Sequence, residues 1–131
     1  MSIDPNISIL IVDDYRTMLR IIRNLLSQLG FSNVDEATDG VTALKKIGEK
    51  KFDLIISDWN MEPMSGIELL KKVRADQSSN PNVPFIMVTA ENKPENVVKA
   101  KEAGVDNYIV KPFNAETLKG KIVSVLSKKA S

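Results

Sequence analysis

The chain contains no cysteine and no histidine. The first absence excludes disulfides and thiolate metal sites, and the second removes the commonest general base at neutral pH. Acidic and basic residues nearly cancel, with 18 Lys and Arg against 17 Asp and Glu. A net charge of +1 argues against a nucleic-acid-binding protein, which normally gathers a basic excess on one face.

Long apolar runs are also missing. None approaches the roughly 20 residues that a helix needs to cross a bilayer, and the N-terminal sequence MSIDPN lacks the apolar core of a signal peptide. We therefore expect a cytoplasmic protein that does not enter the membrane. A length of 131 residues without a linker or repeat predicts one domain over residues 1–131.

Short apolar runs alternate with longer stretches that have helical spacing. The strongly apolar runs are Ser8–Val12, Phe52–Ser57, Val83–Val88 and Asn107–Val110, and a weaker one is Asn33–Ala37. Nearly continuous apolarity over so few residues is typical of parallel strands that are buried on both faces. Five strand–helix units predict an α/β fold with a doubly wound, five-stranded parallel sheet. A barrel would need eight units and about 250 residues.

Apolar residues recur every three or four positions in each predicted helix. The five groups are Met18, Ile22, Leu25, Leu29; Val41, Leu44, Ile47; Ile67, Leu70, Val73; Val97, Ala100, Ala103; and Leu118, Ile122, Val125. Gly30 and Gly104 follow two of these groups and predict helix C-termini. Asn114 predicts the N-cap of the last helix, and Asp39 is interpreted only as a cap.

Polar residues follow four of the five runs. Asp13 and Asp14 come after the first run, Asp58 after the third, Thr89 after the fourth and Lys111 after the fifth. Ligands of open α/β sheets bind beyond the carboxyl ends of the strands, so these side chains predict a shared site. Each acid alone could simply be a helix N-cap.

Three crowded carboxylates would repel one another and need positive charge nearby. If the first and third strands are neighbours in the sheet, about 4.8 Å apart, Asp13, Asp14 and Asp58 come together at its edge. Lys111 supplies one positive charge and leaves a deficit that one divalent cation would neutralise. Oxygen ligands without histidine or cysteine favour Mg²⁺.

Mg²⁺ beside a lysine is typical of sites that catalyse phosphoryl transfer, in which positioning and charge neutralisation supply most of the catalysis. The sequence has neither a P-loop nor a G-x-G-x-x-G fingerprint, so we do not expect nucleotide binding. A carboxylate can itself be the nucleophile and form an acyl phosphate. That chemistry needs no histidine or cysteine.

Four motifs resemble those of response-regulator receiver domains, especially the chemotaxis receivers. They are IVDDYRTMLRIIRNLL, ISDWNM, MVTAEN and NYIVKPF, and the resemblance extends from about Ile9 to the last helix. It implies the flavodoxin-like strand order 2-1-3-4-5, which is taken from the family. It also implies that Asp58 is the phosphoacceptor, and that Asp13 and Asp14 hold Mg²⁺ together with the backbone carbonyl of Asn60.

The resemblance implies further roles. Lys111 would pair with the phosphoryl oxygens, and Thr89 and Tyr108 would move as a switch. The Lys111–Pro112 peptide bond would be cis, and Asn60 and Glu91 would tune hydrolysis of the acyl phosphate. The output surface would comprise the fourth helix, fifth strand and fifth helix, around Val97, Lys101, Val105, Tyr108 and Lys121.

One position departs from the family pattern, which usually has proline four residues after the acceptor. Here Glu62 occupies that position and Pro63 follows it. An acid at the mouth of the site would slow the approach of anionic donors or phosphatases. The alternative is a solvated loop residue whose charge is screened.

These observations predict a stand-alone, monomeric receiver that catalyses only its own phosphorylation and dephosphorylation. No DNA-binding or catalytic domain follows, so its output would be protein binding. The expected partners are a histidine kinase of the chemotaxis type, the flagellar motor switch protein and a phosphatase. Two alternatives stay open: a phosphate sink or single-domain regulator of another pathway, and a small Mg²⁺-dependent phosphatase with Asp58 as nucleophile. The phosphatase would need a general acid, and the usual position holds Asn60.

Overall fold

The computed structural model describes residues 4–75, 81–90 and 94–130. Strands and helices alternate over this part of the chain, as the sequence predicts. The elements are β1 (Ile9–Val12), α1 (Arg16–Gln28), β2 (Val34–Ala37), α2 (Gly40–Glu49), β3 (Leu54–Asp58), α3 (Gly66–Ala75), β4 (Phe85–Thr89), α4 (Pro94–Ala103), β5 (Asn107–Val110) and α5 (Ala115–Ala130).

All strand pairs are parallel, and the sheet order is β2-β1-β3-β4-β5. This confirms the doubly wound α/β fold. The chain reverses its winding direction between β1 and β3, and ligands of such sheets bind at this switch point. Val12 pairs with Ser57, so the residues that follow β1 and end β3 lie side by side.

Alternate strand residues point into two separate cores, because successive side chains of a strand face opposite sides of the sheet. Ile9 and Ile11 pack with α1 and α5, whereas Leu10 and Val12 pack with α2 and α3. Burial on both faces explains why the central strands β1, β3 and β4 are mostly apolar, whereas the edge strand β2 carries the partly buried Asp35 and Glu36. In the described part of the chain, no helix is both long enough and apolar enough to cross a bilayer.

The predicted helix ends are confirmed. Gly30 and Gly104 have φ values of 96° and 98°, in the left-handed region where a side chain is strained. Both positions close their helices with the paired backbone hydrogen bonds of a Schellman motif. At the N-terminal ends, Asp39 accepts from the Thr42 N–H at 2.7 Å and Asn114 accepts from the Thr117 N–H at 2.8 Å.

The structure corrects the sequence prediction at several strand boundaries, by one or two residues, and at one helix position. Asp58 and Thr89 do not follow β3 and β4 but are their last residues, because strand pairing continues to Asp58↔Val88 and Thr89↔Val110. Val41 is 58% exposed, although its spacing with Leu44 and Ile47 predicts that it lies on the buried side of α2. The buried side of α2 contains Gly40, Ala43 and Ile47. Val41 is one residue after Gly40 and therefore points away from that side.

Candidate functional site

Three carboxylates meet at the carboxyl edge of the sheet. Asp13 directly follows β1 and is fully buried, while Asp58 ends β3 and is 6% exposed. Asp14 is exposed at the same edge. One oxygen from each of the three groups lies within 4.8 Å of the others. The structure therefore brings together the three acids that the sequence placed at strand ends.

Lys111 provides the positive charge beside this cluster. Its Nζ lies 3.0 Å from Asp58 Oδ1 and 3.6 Å from Asp13 Oδ2. The first distance is a charge-assisted hydrogen bond, and the second is too long for one. Lys111 directly follows β5, and its backbone N–H donates to the carbonyl of Thr89 at 2.8 Å. This bond continues the pairing of β5 with β4 and fixes the position of the Lys111 backbone at the edge of the sheet.

Asp13 has one satisfied oxygen and one unsatisfied oxygen. Oδ1 accepts a hydrogen bond from the Tyr15 backbone N–H at 2.9 Å, whereas the buried Oδ2 has no hydrogen-bond donor. Lys111 Nζ, 3.6 Å from this oxygen, is too far away to hydrogen-bond it and is bonded to Asp58 instead, so the burial of Asp13 Oδ2 is only partly compensated. This orphaned atom, the oxygen-only donors and the uncompensated negative charge fit a hard divalent cation such as Mg²⁺.

Burial and charge shift the pKa values of this group. Burial raises the pKa of Asp58 above its usual range, despite the opposing hydrogen bond and charge of Lys111. Burial also raises the pKa of Asp13, with the negative charge of Asp58 adding to it against the Tyr15 hydrogen bond. For Lys111, burial lowers the pKa, but the hydrogen bond and charge of Asp58 outweigh it and the net shift is upward.

The loop between β3 and α3 carries Asn60, which is exposed. The Trp59 N–H donates to the carbonyl of Val88 at 2.8 Å, and the Gly66 N–H donates to the carbonyl of Trp59 at 2.8 Å. A Cβ at Gly66 would lie 2.2 Å from the carbonyl oxygen of Asp58, so only glycine permits this closure. The loop is thereby held against the end of β3.

Thr89 and Tyr108 occupy different levels of the sheet. Thr89 is 6% exposed and pairs with Val110, while Tyr108 lies two residues earlier in β5 and is half-buried. Lys121 Nζ lies 5.5 Å from the centroid of the Tyr108 ring, within range of a cation–π interaction. Their switching roles stay predictions.

The remaining site predictions have mixed outcomes. The Lys111–Pro112 bond is cis, as the resemblance implies, and the Glu62–Pro63 bond is cis as well. Glu62 is exposed, which agrees with the solvated-loop interpretation. Glu91 lies outside the described residues. The sequence did not reveal the Tyr15 N–H as a donor to Asp13, since a backbone group has no signature in the residue type.

Comparisons with known proteins agree with this geometry. Residues 9–123 match the family described as the response regulator receiver domain. Chemotaxis protein CheY-3 of Vibrio cholerae is 49% identical over 126 residues, covering 96% of each chain. Chemotaxis protein CheY of Pseudomonas aeruginosa is 51% identical over 92% of this chain and 96% of that protein. The crystal structure of Vibrio cholerae CheY4 superposes with a TM-score of 0.86 at 39% identity, covering 92% of this chain and 99% of that one.

Proposed function

The chain belongs to the response regulator receiver domain family, and we propose that it is a single-domain chemotaxis receiver phosphorylated on Asp58. The observation that carries this proposal is the setting of the Asp58 carboxylate. Lys111 Nζ is 3.0 Å from it, and the oxygens of two further acids lie within 4.8 Å. The relatives from Vibrio cholerae and Pseudomonas aeruginosa, whose sequences are 49% and 51% identical to this chain, are named chemotaxis proteins, which supports the assignment to that pathway.

In the proposed reaction, a carboxylate oxygen of Asp58 attacks the phosphorus of a phosphohistidine on a chemotaxis-type kinase. The N–P bond breaks, an acyl phosphate forms, and the imidazole leaves. Water later cleaves the acyl phosphate to inorganic phosphate and restores the carboxylate. Only the protein's own phosphorylation and dephosphorylation are catalysed, so the chain is not an enzyme acting on separate substrates.

Asp13, Asp14, Asp58 and the backbone carbonyl of Asn60 would hold Mg²⁺, which would neutralise charge on the transferring group. Lys111 would shift from the Asp58 carboxylate toward a phosphoryl oxygen, because that group carries more negative charge. The orphaned Oδ2 of Asp13 supports this arrangement, since a bound cation would satisfy it.

The proposed output surface contains α4, β5 and α5. Thr89 would move toward the phosphoryl group and Tyr108 would follow, which changes the surface beside β5. A groove of about 300 Å³ is present there, and its lining includes Tyr108, Phe113 and Lys121. Lys101 is exposed on α4. We propose that a segment of the flagellar motor switch protein binds this surface. A dedicated phosphatase, a monomeric state, a single domain over residues 1–131 and a cytoplasmic location stay predictions.

Intact mass after treatment with acetyl phosphate and Mg²⁺ tests the phosphoacceptor. Wild-type protein should gain one phosphoryl group, and Asp58→Asn should gain none. Asp39→Asn is the matched control, because that carboxylate caps α2 through the Thr42 N–H and is not one of the three clustered acids, so the adduct should form as in the wild type. A similar yield of adduct on Asp58→Asn would refute the assignment.

Peptide-shift NMR with beryllofluoride as the phosphoryl mimic tests the output surface. Binding of a motor-switch peptide should strengthen with the mimic and shift resonances of α4, β5 and α5. Shifts that map to α1 instead would favour a phosphate sink that binds only its kinase. Turnover of a phosphomonoester substrate would favour the phosphatase alternative.

A further inference from the structure

The β3–α3 loop, residues 59–65, carries the Asn60 carbonyl, and its hydrogen bonds to other described residues are at its two ends. At the first end, the Trp59 N–H donates to the carbonyl of Val88, and the bond from the Gly66 N–H to the Trp59 carbonyl joins this end to the other. At the other, Ser65 and Glu68 form a capping box in which each backbone N–H donates to the other's side chain at 3.2 Å. Between these ends, Met61, which directly follows Asn60, is buried in the core between the sheet and α2 and α3, and Met64 is partly buried against the same core.

Met64 makes a close contact with the first residue of α2. A Cβ built on Gly40 would lie 2.6 Å from Met64 Sδ, 2.9 Å from its Cβ and 3.0 Å from its Cγ. Gly40 is buried, and Met64 packs against the core between the sheet and α2 and α3. The side chain of Met64 therefore occupies the space that any other residue at position 40 would need.

The contact is rigid on both sides. Asp39 holds the start of α2 through its hydrogen bond to the Thr42 N–H. On the loop side, turning the end of the Met64 side chain would relieve the contact with Sδ but not the contact with Met64 Cβ, which moves only with the loop backbone. A change at Gly40 is consequently transmitted to the backbone that carries Asn60.

We infer that Met64, seated against Gly40, is a positioning residue that holds the β3–α3 loop and its Asn60 carbonyl beside the carboxylate cluster. The inference rests on the proposed Mg²⁺ site and assigns Met64 no contact with the cation. Residues that orient a metal ligand without touching the metal commonly affect affinity by about tenfold or more. A side chain at position 40, which would overlap Met64, should therefore weaken Mg²⁺ binding although no proposed ligand is altered.

The test compares two glycine-to-alanine changes in the same helix. Gly40→Ala should raise the Kd for Mg²⁺ about tenfold, measured through Trp59 fluorescence and calorimetry. Gly48→Ala is the matched control, because nothing lies within 4 Å of its added Cβ, and it should bind Mg²⁺ as the wild type does. Without metal, the carbonyl ¹³C shift of Asn60 should change in Gly40→Ala and not in Gly48→Ala.

Substitutions of Met64 separate positioning from a general loss of stability. Met64→Ala should weaken Mg²⁺ binding and shift the Asn60 carbonyl resonance, whereas Met64→Leu, of similar volume, should restore both. The double variant Gly40→Ala with Met64→Ala should lose less affinity than the two single variants together, because removing Met64 Sδ and Cγ relieves two of the three overlaps while the Cβ at position 64 remains. If the wild type binds Mg²⁺ and Met64→Ala binds it equally well, the inference is wrong. If the wild type binds no Mg²⁺, the proposed metal site fails and the inference fails with it.

Discussion

Asp13→Asn should stabilise the protein when Mg²⁺ is removed. Asp13 Oδ2 is buried without a hydrogen-bond donor, and such an atom costs about 1–3 kcal/mol. Asparagine can keep the hydrogen bond from the Tyr15 N–H through its oxygen. It also removes one of the three crowded negative charges, which should outweigh the loss of the 3.6 Å ion pair with Lys111, because Lys111 stays paired with Asp58. We expect a gain of about 1–2 kcal/mol in the free energy of unfolding, or about 4–8 °C in Tm.

The stability of the metal-free protein should also depend on pH, in a direction that follows from the pKa shifts of its acids. The pKa values of Asp13 and Asp58 are raised above 3.8 in the folded protein, mainly by burial, so the folded state binds protons more tightly than the unfolded chain. The stability of metal-free wild type should then fall as the pH rises from about 3.8 through the raised values. Asp39 acts oppositely: a hydrogen bond from Thr42 lowers its pKa, and its stabilising effect is lost as the pH falls.

Urea denaturation with EDTA, at about pH 4.5 and about pH 7.5, measures both effects. The advantage of Asp13→Asn over wild type should be larger at the higher pH. Mg²⁺ at ten times its Kd should stabilise the wild type by about 1.4 kcal/mol and the variant by less. The control Asp39→Asn should stay near wild type at about pH 7.5, because asparagine caps helices nearly as well. An Asp13→Asn variant that is less stable than wild type without metal would refute the reasoning.

Three further predictions concern other positions. Gly48→Ala and Gly120→Ala should each stabilise their helices by about 0.5–1 kcal/mol in thermal unfolding, because neither added Cβ meets an atom within 4 Å. Arg74→Met should destabilise the protein by about 3 kcal/mol in urea denaturation, since Arg74 pairs with Asp106 at 3.0 Å in a largely buried position. Recovery of stability in the double variant Arg74→Met with Asp106→Asn would identify the remaining negative charge of Asp106 as the cause. Lys111→Gln should tighten Mg²⁺ binding about tenfold in calorimetry, because it removes a competing charge from the cluster; unchanged affinity would contradict this.

The elements of the fold could be predicted from the sequence because their signals are local. Apolar runs gave five strands, and glycine or asparagine gave the ends of α1, α4 and α5. Strand boundaries were wrong by one or two residues, since pairing with a neighbour decides where a strand ends. Val41 was misplaced because spacing alone does not determine which side of a helix meets the sheet.

Most of the candidate site could also be predicted. Asp13, Asp14, Asp58 and Lys111 were found from their positions at strand ends, and the structure brings them together. The closer approach of Lys111 to Asp58 than to Asp13 could not be predicted, because it depends on how β5 sits in the finished sheet.

The sequence by itself determined the strand–helix alternation, the charge deficit of the three acids and the oxygen-only character of the donors that they offer. These follow from periodicity and from the nature of each side chain. Only the tertiary structure decided which carboxylate oxygen has no donor and that Met64 fills the space above Gly40. Both depend on contacts between elements that are distant in the chain, at a scale of a few ångströms that no residue pattern specifies.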